Sequence, residues 1–201
     1  MMRTSLPDLD IKLALEFEKT LETALDSVPL TIFICGKALP KTASPKSKKA
    51  KKGNGRDLRL YLQLMLEKEF KSCRVRLGEH KQWMRIYGRV AGSIAFNLAD
   101  HEIALARTID LVVIFPCSPG SFAELGMFSV EERIAEKMVV FVDSKFRKSK
   151  SYIIDGPIAA ARRRKSAIYT IKYSDREQIF KRIRDLILRI RANKGKAKLL
   201  S

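Results

Sequence analysis

The chain is 201 residues long, 46% apolar and 31% charged, with 40 Lys and Arg against 22 Asp and Glu and a formal charge of +18. That length and apolar share suit one domain with a sizeable core and exclude an extended disordered chain. No run approaches the roughly 18 to 20 consecutive apolar residues of a membrane span, and the start, MMRTSLPDLDIKLALEFEKT, mixes charged with apolar residues instead of forming a signal-peptide core. The chain reads as soluble and cytoplasmic, with no membrane partner.

In chain order, Asp8 to Asp26 sets Ile11, Leu13, Leu15, Phe17, Leu21 and Ala24 among charges, an amphipathic helix that Ser5 or Asp8 would cap. Residues 1–28 are expected to pack on the domain that follows. Pro29 to Cys35 is short, apolar and β-branched and ends at Gly36, which predicts a buried strand. The stretch 37–55 carries Pro40, Pro45, Gly53 and seven lysines and reads as a long, basic, mobile loop. A helix follows over Arg56 to Lys71, then a strand over Cys73 to Leu77, then helices over Trp83 to Ala95 and Leu98 to Thr108. Asp110-Leu-Val-Val-Ile-Phe115 is the strongest strand, closed by Pro116, and the loop Cys117-Ser-Pro-Gly120 leads into a helix over Ser121 to Ala135. Met138 to Val142 and Ala167 to Ile171 are further strands, and Ser174 to Ala192 is a closing helix before a basic tail at 194–201.

Strands this apolar, alternating with helices, predict a parallel sheet covered on both faces: a single three-layer α/β domain, Rossmann/flavodoxin-like, over residues 29–193 with about five strands. Right-handed crossovers put ligands beyond the carboxyl ends of the strands, where the strand order reverses. With the order 2-1-3-4-5, the loops after Cys35 and Phe115 meet there.

The charge is localised. Lys37 to Arg76 has a surplus of 10 and Lys145 to Lys198 a surplus of 14, so the rest of the chain carries −6. Lys46, Lys48, Lys49, Lys51 and Lys52, with Arg162, Arg163, Arg164 and Lys165, are dense enough to bind polyanions through counterion release; as a solvated loop and helix end they would only keep the chain soluble. The three cysteines, Cys35, Cys73 and Cys117, form no C-x-x-C pair and read as small buried thiols in a reducing compartment. No metal-ligand spacing appears, and no cofactor is expected.

Pro116-Cys-Ser-Pro-Gly-Ser-Phe-Ala-Glu-Leu-Gly126 carries the chemistry. It supplies a Gly-containing loop after a buried strand, backbone N–H groups with the Ser118 and Ser121 hydroxyls at a helix N-terminus, and Glu124 in that helix's first turn. The first two suit a phosphate or ribose hydroxyls. Glu124 has two readings: an ordinary capping acid at the third helical position, or a carboxylate that attacks or stabilises an oxocarbenium-like sugar carbon during N-glycosidic cleavage.

Gly120-Ser-Phe-Ala-Glu-Leu-Gly126 resembles the G-[ST]-x-x-E-[LI]-G element of nucleoside 2-deoxyribosyltransferases, in which the Glu is the nucleophile, and the spacing is also similar to the G-T-x-x-E of nucleotide phosphoribohydrolases. The whole pattern, Phe33-Ile-Cys-Gly36, Glu102, Ser118 through Phe128 and Ile153-Ile-Asp-Gly-Pro157, is similar to that of the deoxyribosyltransferase-like effectors of bacterial retrons, over roughly Leu30 to Ile190. The resemblance implies Glu124 as the catalytic residue, with Gly36, Lys37, Glu79, Glu102, Ser118, Gly120 and Ser121 around the substrate. It also implies a reverse transcriptase with multicopy single-stranded RNA–DNA as partner, and a homo-oligomer that completes the site. The transferases usually have a Tyr near the end of the first strand and an acid in the loop before the nucleophile; this chain has Cys35-Gly36-Lys37 and no acid between Asp110 and Glu124. That shifts the expectation from base exchange to hydrolysis of a charged nucleotide, NAD included, whose phosphates nearby lysines neutralise.

Glu79 and Glu102 are alternatively solvated or salt-bridged surface acids, and Asp110 reads as structural, at the far end of the sheet. His80 and His101 are the only histidines and compose no Ser-His-Asp system. Trp83 and Tyr87 either stack on a base or pack in the core. Three functions stay open: a retron-type effector or toxin cleaving an N-glycosidic bond of a nucleotide or NAD, a nucleotide-sensing module that does not cleave, and a basic nucleic-acid-binding protein on an α/β scaffold.

Overall fold

The computed structural model describes residues 11–13, 15–16, 20, 27–37, 39, 58–78, 97–146 and 153–199. Most of the N-terminal helix, most of the 37–55 loop with Lys46 to Lys52, and the segment holding Glu79, His80, Trp83 and Tyr87 lie outside them.

Leu30–Cys35 (β1) is followed by Leu58–Glu69 (α1), Cys73–Leu77 (β2), Leu98–Thr108 (α2), Leu111–Ile114 (β3) and Pro119–Val130 (α3). Glu132–Ala135 (α4), Met138–Asp143 (β4), Ala159–Arg163 (α5), Ala167–Ile171 (β5) and Arg176–Leu199 (α6) complete the order. The five strands form one parallel sheet in the order β2-β1-β3-β4-β5, as the periodicity predicts. Ile32 pairs with Val75 on one side and Leu111 on the other, which fixes β1 as the strand where the winding reverses.

Successive side chains of a strand point to opposite faces, and here each face is apolar. Leu30, Ile32, Ile34, Leu111, Val113, Phe115, Val139 and Phe141 meet Leu62 and Leu66 of α1 and Ile179, Ile183 and Ile187 of α6. Phe33, Cys35, Val112, Ile114, Met138, Val140 and Val142 meet Ala106 of α2, Leu125 and Phe128 of α3, and Ile134, Ile158 and Ala161. The result is the three-layer arrangement, with β3 wholly buried.

The structure differs from the sequence reading at two boundaries. The helix expected over Ser121 to Ala135 is broken at Glu131, whose extended backbone (φ −90°, ψ 107°) separates α3 from α4. There the Glu131 carbonyl accepts from the Ile134 and Ala135 N–H groups, and its carboxylate takes Arg107 at 3.0 Å. Gly156-Pro157, of the Ile153 to Pro157 motif, sits inside a π-helical turn, Ile154–Ile158, that runs into α5. Finally, α6 is 24 residues long and ends at Leu199, so residues 194–199, expected in a tail, are helical; Lys194 Nζ holds Asp110 Oδ1 at 2.6 Å. Asp110 also accepts from the Thr31 N–H at 2.8 Å, which joins β3 to β1 at their amino ends.

Candidate active site at the carboxyl ends of β1 and β3

Phe115 leaves β3 still paired with β1, its N–H donating to the Cys35 carbonyl at 3.0 Å. The chain then turns into α3 through a capping box. Ser118 is the N-cap and Pro119 the first helical residue, which its fixed φ suits. The Ser118 hydroxyl accepts from the Ser121 N–H at 3.3 Å, while Ser121 Oγ accepts from the Cys117 and Ser118 N–H groups at 3.0 and 2.9 Å and lies 2.9 Å from the Ser118 carbonyl, to which it donates. Ser121 is 1% exposed. Its hydroxyl holds the turn together, whereas Ser118 is half-buried and an added Cβ at Gly120 would meet open space.

Because Ser118 and Pro119 start the helix early, Glu124 is its sixth residue, and the first turn of α3 holds no acid. This corrects the expected first-turn placement: the third helical position, where a capping acid would stand, is Ser121.

Glu124 instead faces the end of β1. The Cys35 thiol, 1% exposed, is hydrogen-bonded to its carboxylate. Burial raises the Cys35 pKa well above its ordinary 9.0, and the negative charges of Glu124 and Glu102 raise it further, so the sulfur stays an S–H donor. Glu102, from α2, is near enough for its charge to act on the same thiol, and burial raises its own pKa above the ordinary 4.5.

On the opposite face, just across β1, a cavity of about 240 Å³ is lined by Lys37, Leu58, Arg59, Phe115, Cys117, Tyr173 and Arg176. Arg59 is 4% exposed, and its stem crosses directly over Gly36: a Cβ there would stand 2.9 Å from Arg59 Cδ and 3.4 Å from Phe115 Cβ. Gly36 is therefore the residue that lets Arg59 into the site. The charge of Arg59 counters the upward shift of Cys35, so it is felt by the thiol that anchors Glu124. The floor is aromatic, with Phe115 stacked on Phe141 at 5.3 Å and edge-on to Tyr173 at 5.5 Å. The Tyr173 hydroxyl donates to the Phe141 carbonyl at 2.7 Å. Arg176, at the start of α6, lies over the Tyr61 ring at 5.6 Å.

The sequence reading named Gly36 and Lys37 but missed Arg59, Tyr173 and Arg176. The available signal was Arg59 sitting between Leu58 and Leu60 in an amphipathic helix, where a cation on the apolar side is out of place. Cys117 corrects an expectation: it is exposed, because it lies past the strand end and borders the cavity. A second cavity of about 180 Å³ is apolar, lined by Pro116, Phe122, Val142, Phe146, Ile153, Ile154 and Ile158. Residues two apart on a helix face nearly opposite ways, so Phe122 and this cavity lie on the β4 side of α3 and Glu124 on the β1 side.

Arg162, Arg163 and Lys165 are exposed and Arg164 half-buried, at the end of α5 just before β5. They therefore sit at the amino edge of the sheet, the end away from Glu124, and the C-terminal half of α6 approaches the same edge through Lys194. Among the described residues no three His, Cys, Asp or Glu side chains compose a metal site, and no helix is long and apolar enough to cross a membrane.

The chain is similar to two curated Escherichia coli proteins whose names pair ribosyltransferase with DNA-binding protein. It is 39% identical over 74 residues to the retron Ec86 protein, covering 37% of this chain and 24% of that one. It is 37% identical over 68 residues to the retron Ec73 protein, covering 34% and 22%. The matches span about a quarter of the length of these relatives. A match to the STM3845 retron effector protein family runs from residue 55 to residue 199, taking in α1 through α6 with Glu102, Glu124 and the Ser118 turn, and the chain belongs to that family.

Proposed function

We propose that this retron effector cleaves the N-glycosidic bond of a nucleotide or of NAD, with Glu124 as the group that meets the sugar carbon. The observation that supports the reading is the position of Glu124 on α3, just past the Ser118 turn that follows β3 and near the buried Cys35 that ends β1, at the strand ends where open α/β sheets bind ligands. An anchored carboxylate facing a positively charged sugar carbon either attacks it or stabilises it. In the covalent form, a Glu124 oxygen bonds to C1′ as the C1′–N bond breaks and its electron pair departs with the base. Water then attacks C1′, loses a proton and releases the carboxylate. In this reading Glu102, whose pKa burial raises, gives a proton to a base that leaves as an anion; a nicotinamide leaving group needs none. The names of the relatives, which pair ribosyl transfer with DNA binding, favour the same chemistry.

Membership of a retron effector family supports the partner reading, in which a reverse transcriptase with its RNA–DNA molecule holds the effector inactive. Arg162 to Lys165 stand apart from the carboxylates, so a phosphate-led contact there leaves the catalytic edge open. The test is induction of wild-type and Glu124→Gln chains in cells without the partners, with NAD and nucleotides measured. Growth arrest with loss of one of these pools in wild type, and neither in Glu124→Gln, supports the reading. Identical arrest with unchanged pools in both overturns it.

A further inference from the structure

We infer that β5 is a docking strand for a second copy of this chain, so that two sheets join side by side into one sheet of ten strands. The inference is independent of the glycosidic reading. The sheet has two outer strands, β2 and β5, and they are finished differently. On β2 the Val75 N–H donates to Glu67 Oε1 at 3.3 Å, so a side chain of α1 occupies that flank, and the strand itself carries Arg74 and Arg76. Charge and an occupied N–H are devices by which an outer strand refuses further strands. On β5 neither is present. Ala167-Ile-Tyr-Thr-Ile171 has no charged residue; among the described residues it pairs with β4 alone, and no side chain takes an N–H of its free flank. Thr170 is exposed, and Ala167, Ile168 and Tyr169 are half-buried. A neutral strand rich in β-branched residues, left open in this way, is a template for another strand.

The occupant that fits is β5 of a second copy, run antiparallel about a two-fold axis at Tyr169. Ala167 then lies opposite Ile171, Ile168 opposite Thr170 and Tyr169 opposite itself, and just beyond the strand Lys172 meets Ser166. No like charges stand directly opposite each other, the arrangement that a sheet penalises. A parallel pairing would set the two Arg162 to Lys165 runs side by side. The antiparallel one keeps them apart by at least a strand length, about 16 Å, which exceeds the ~8–10 Å over which exposed charges act. Opposite residues of antiparallel strands share a face, so the two Tyr169 rings come together on the α6 side, where Arg182 already lies over the ring of its own chain at 5.4 Å. The assembly closes at two, because the pairing consumes β5 and β2 stays occupied on both copies.

Size exclusion with light scattering measures the mass of the purified full-length chain from ~1 to ~100 µM, a range chosen because so short an interface exchanges readily. The mass should rise from one chain to two and stop there. Thr170→Lys puts a charge opposite Ile168 and should weaken the association at least about tenfold with Tm retained; Thr170→Val, which keeps the flank uncharged, should not. A second readout does not depend on those variants. On a Cys117→Ser background, Tyr169→Cys places two thiols across the axis, within the ~4.4–6.8 Å Cα separation of a disulfide. Oxidised glutathione, which takes up their two electrons and two protons, should then link two chains. Arg74→Cys, on β2, should stay unlinked. A single-chain mass at every concentration, which would leave β5 to a strand of another protein, overturns the inference. So does growth beyond two chains, an association that Thr170→Lys leaves unchanged, or linkage through Arg74→Cys and not through Tyr169→Cys.

Discussion

The two edges of the sheet treat charge in opposite ways. At the amino edge, beside the exposed basic run of Arg162, Arg163 and Lys165, the charged groups at the strand starts bond to the fold itself. Asp110 takes both Lys194 and the Thr31 N–H. Arg191, fully buried, reaches Ser72 Oγ at 2.6 Å and lies over the Phe70 ring at 4.7 Å. Lys137 donates to the Arg107 and Ile109 carbonyls. At the carboxyl edge, like charges are gathered: Glu102 and Glu124 around one thiol, and Lys37, Arg59 and Arg176 around one cavity. Bonds of the first kind tie strand starts to the helices, and the second edge is where the proposed function places its chemistry.

Mutations should separate the edges. The largest stability effect is expected from Arg191→Ala, which removes a wholly buried stem and its hydrogen bond and should cost about 3 kcal/mol, lowering Tm by ~10 °C; chemical denaturation measures it, and nucleotide binding by the folded fraction should not change. Next, Asp110→Ala leaves the Thr31 N–H without its side-chain acceptor and Lys194 without its partner, a loss of about 1–2 kcal/mol in the same assay.

A smaller change of opposite sign is expected at Lys165, which holds a left-handed φ of 66° at the end of α5. Lys165→Gly relieves that conformation and should add about 0.5–1 kcal/mol. If the four-residue basic run contacts nucleic acid, the same variant should weaken it only slightly, since Arg162 and Arg163 remain exposed.

The smallest effect distinguishes the carboxyl edge by its pH dependence. Burial raises the folded-state pKa of Glu102 above 4.5, so its stabilising contribution is full below about 4.5 and is lost as pH rises through the elevated folded value. Glu102→Gln should flatten the Tm profile across that window and lie about 1 °C above wild type at neutral pH. A variant with an unchanged slope would mean that burial does not raise the Glu102 pKa.

The fold was legible because a strand covered on both faces must be continuously apolar: Leu111 to Ile114 and Met138 to Val142 could be little else. The strand order followed from the crossover rules. Glu124 and the Ser118 turn were legible as a motif, although the helix start was misplaced despite a visible signal, Ser118-Pro119, a cap followed by a residue suited to the first helical position. Of the cationic residues, Arg59 was marked only by its place between Leu58 and Leu60, and its sharing of a cavity with Arg176 arises through a tertiary approach across more than a hundred residues. Gly36 could be picked out from sequence, but its reason, room for the Arg59 stem, appears only in three dimensions. The extension of α6 was hidden by Gly195 within a lysine run that resembles a solvated tail, and it is Lys194 on Asp110 that ties it to the sheet.

The most direct measurement incubates purified full-length protein, wild type and Glu124→Gln, with NAD and a panel of nucleoside monophosphates and quantifies free base by chromatography. The account predicts base release from at least one of these by wild type and a rate about a thousandfold or more lower in Glu124→Gln, with Tm retained. Release by Glu124→Gln within about tenfold of wild type, or no free base from any substrate with either chain, would contradict it.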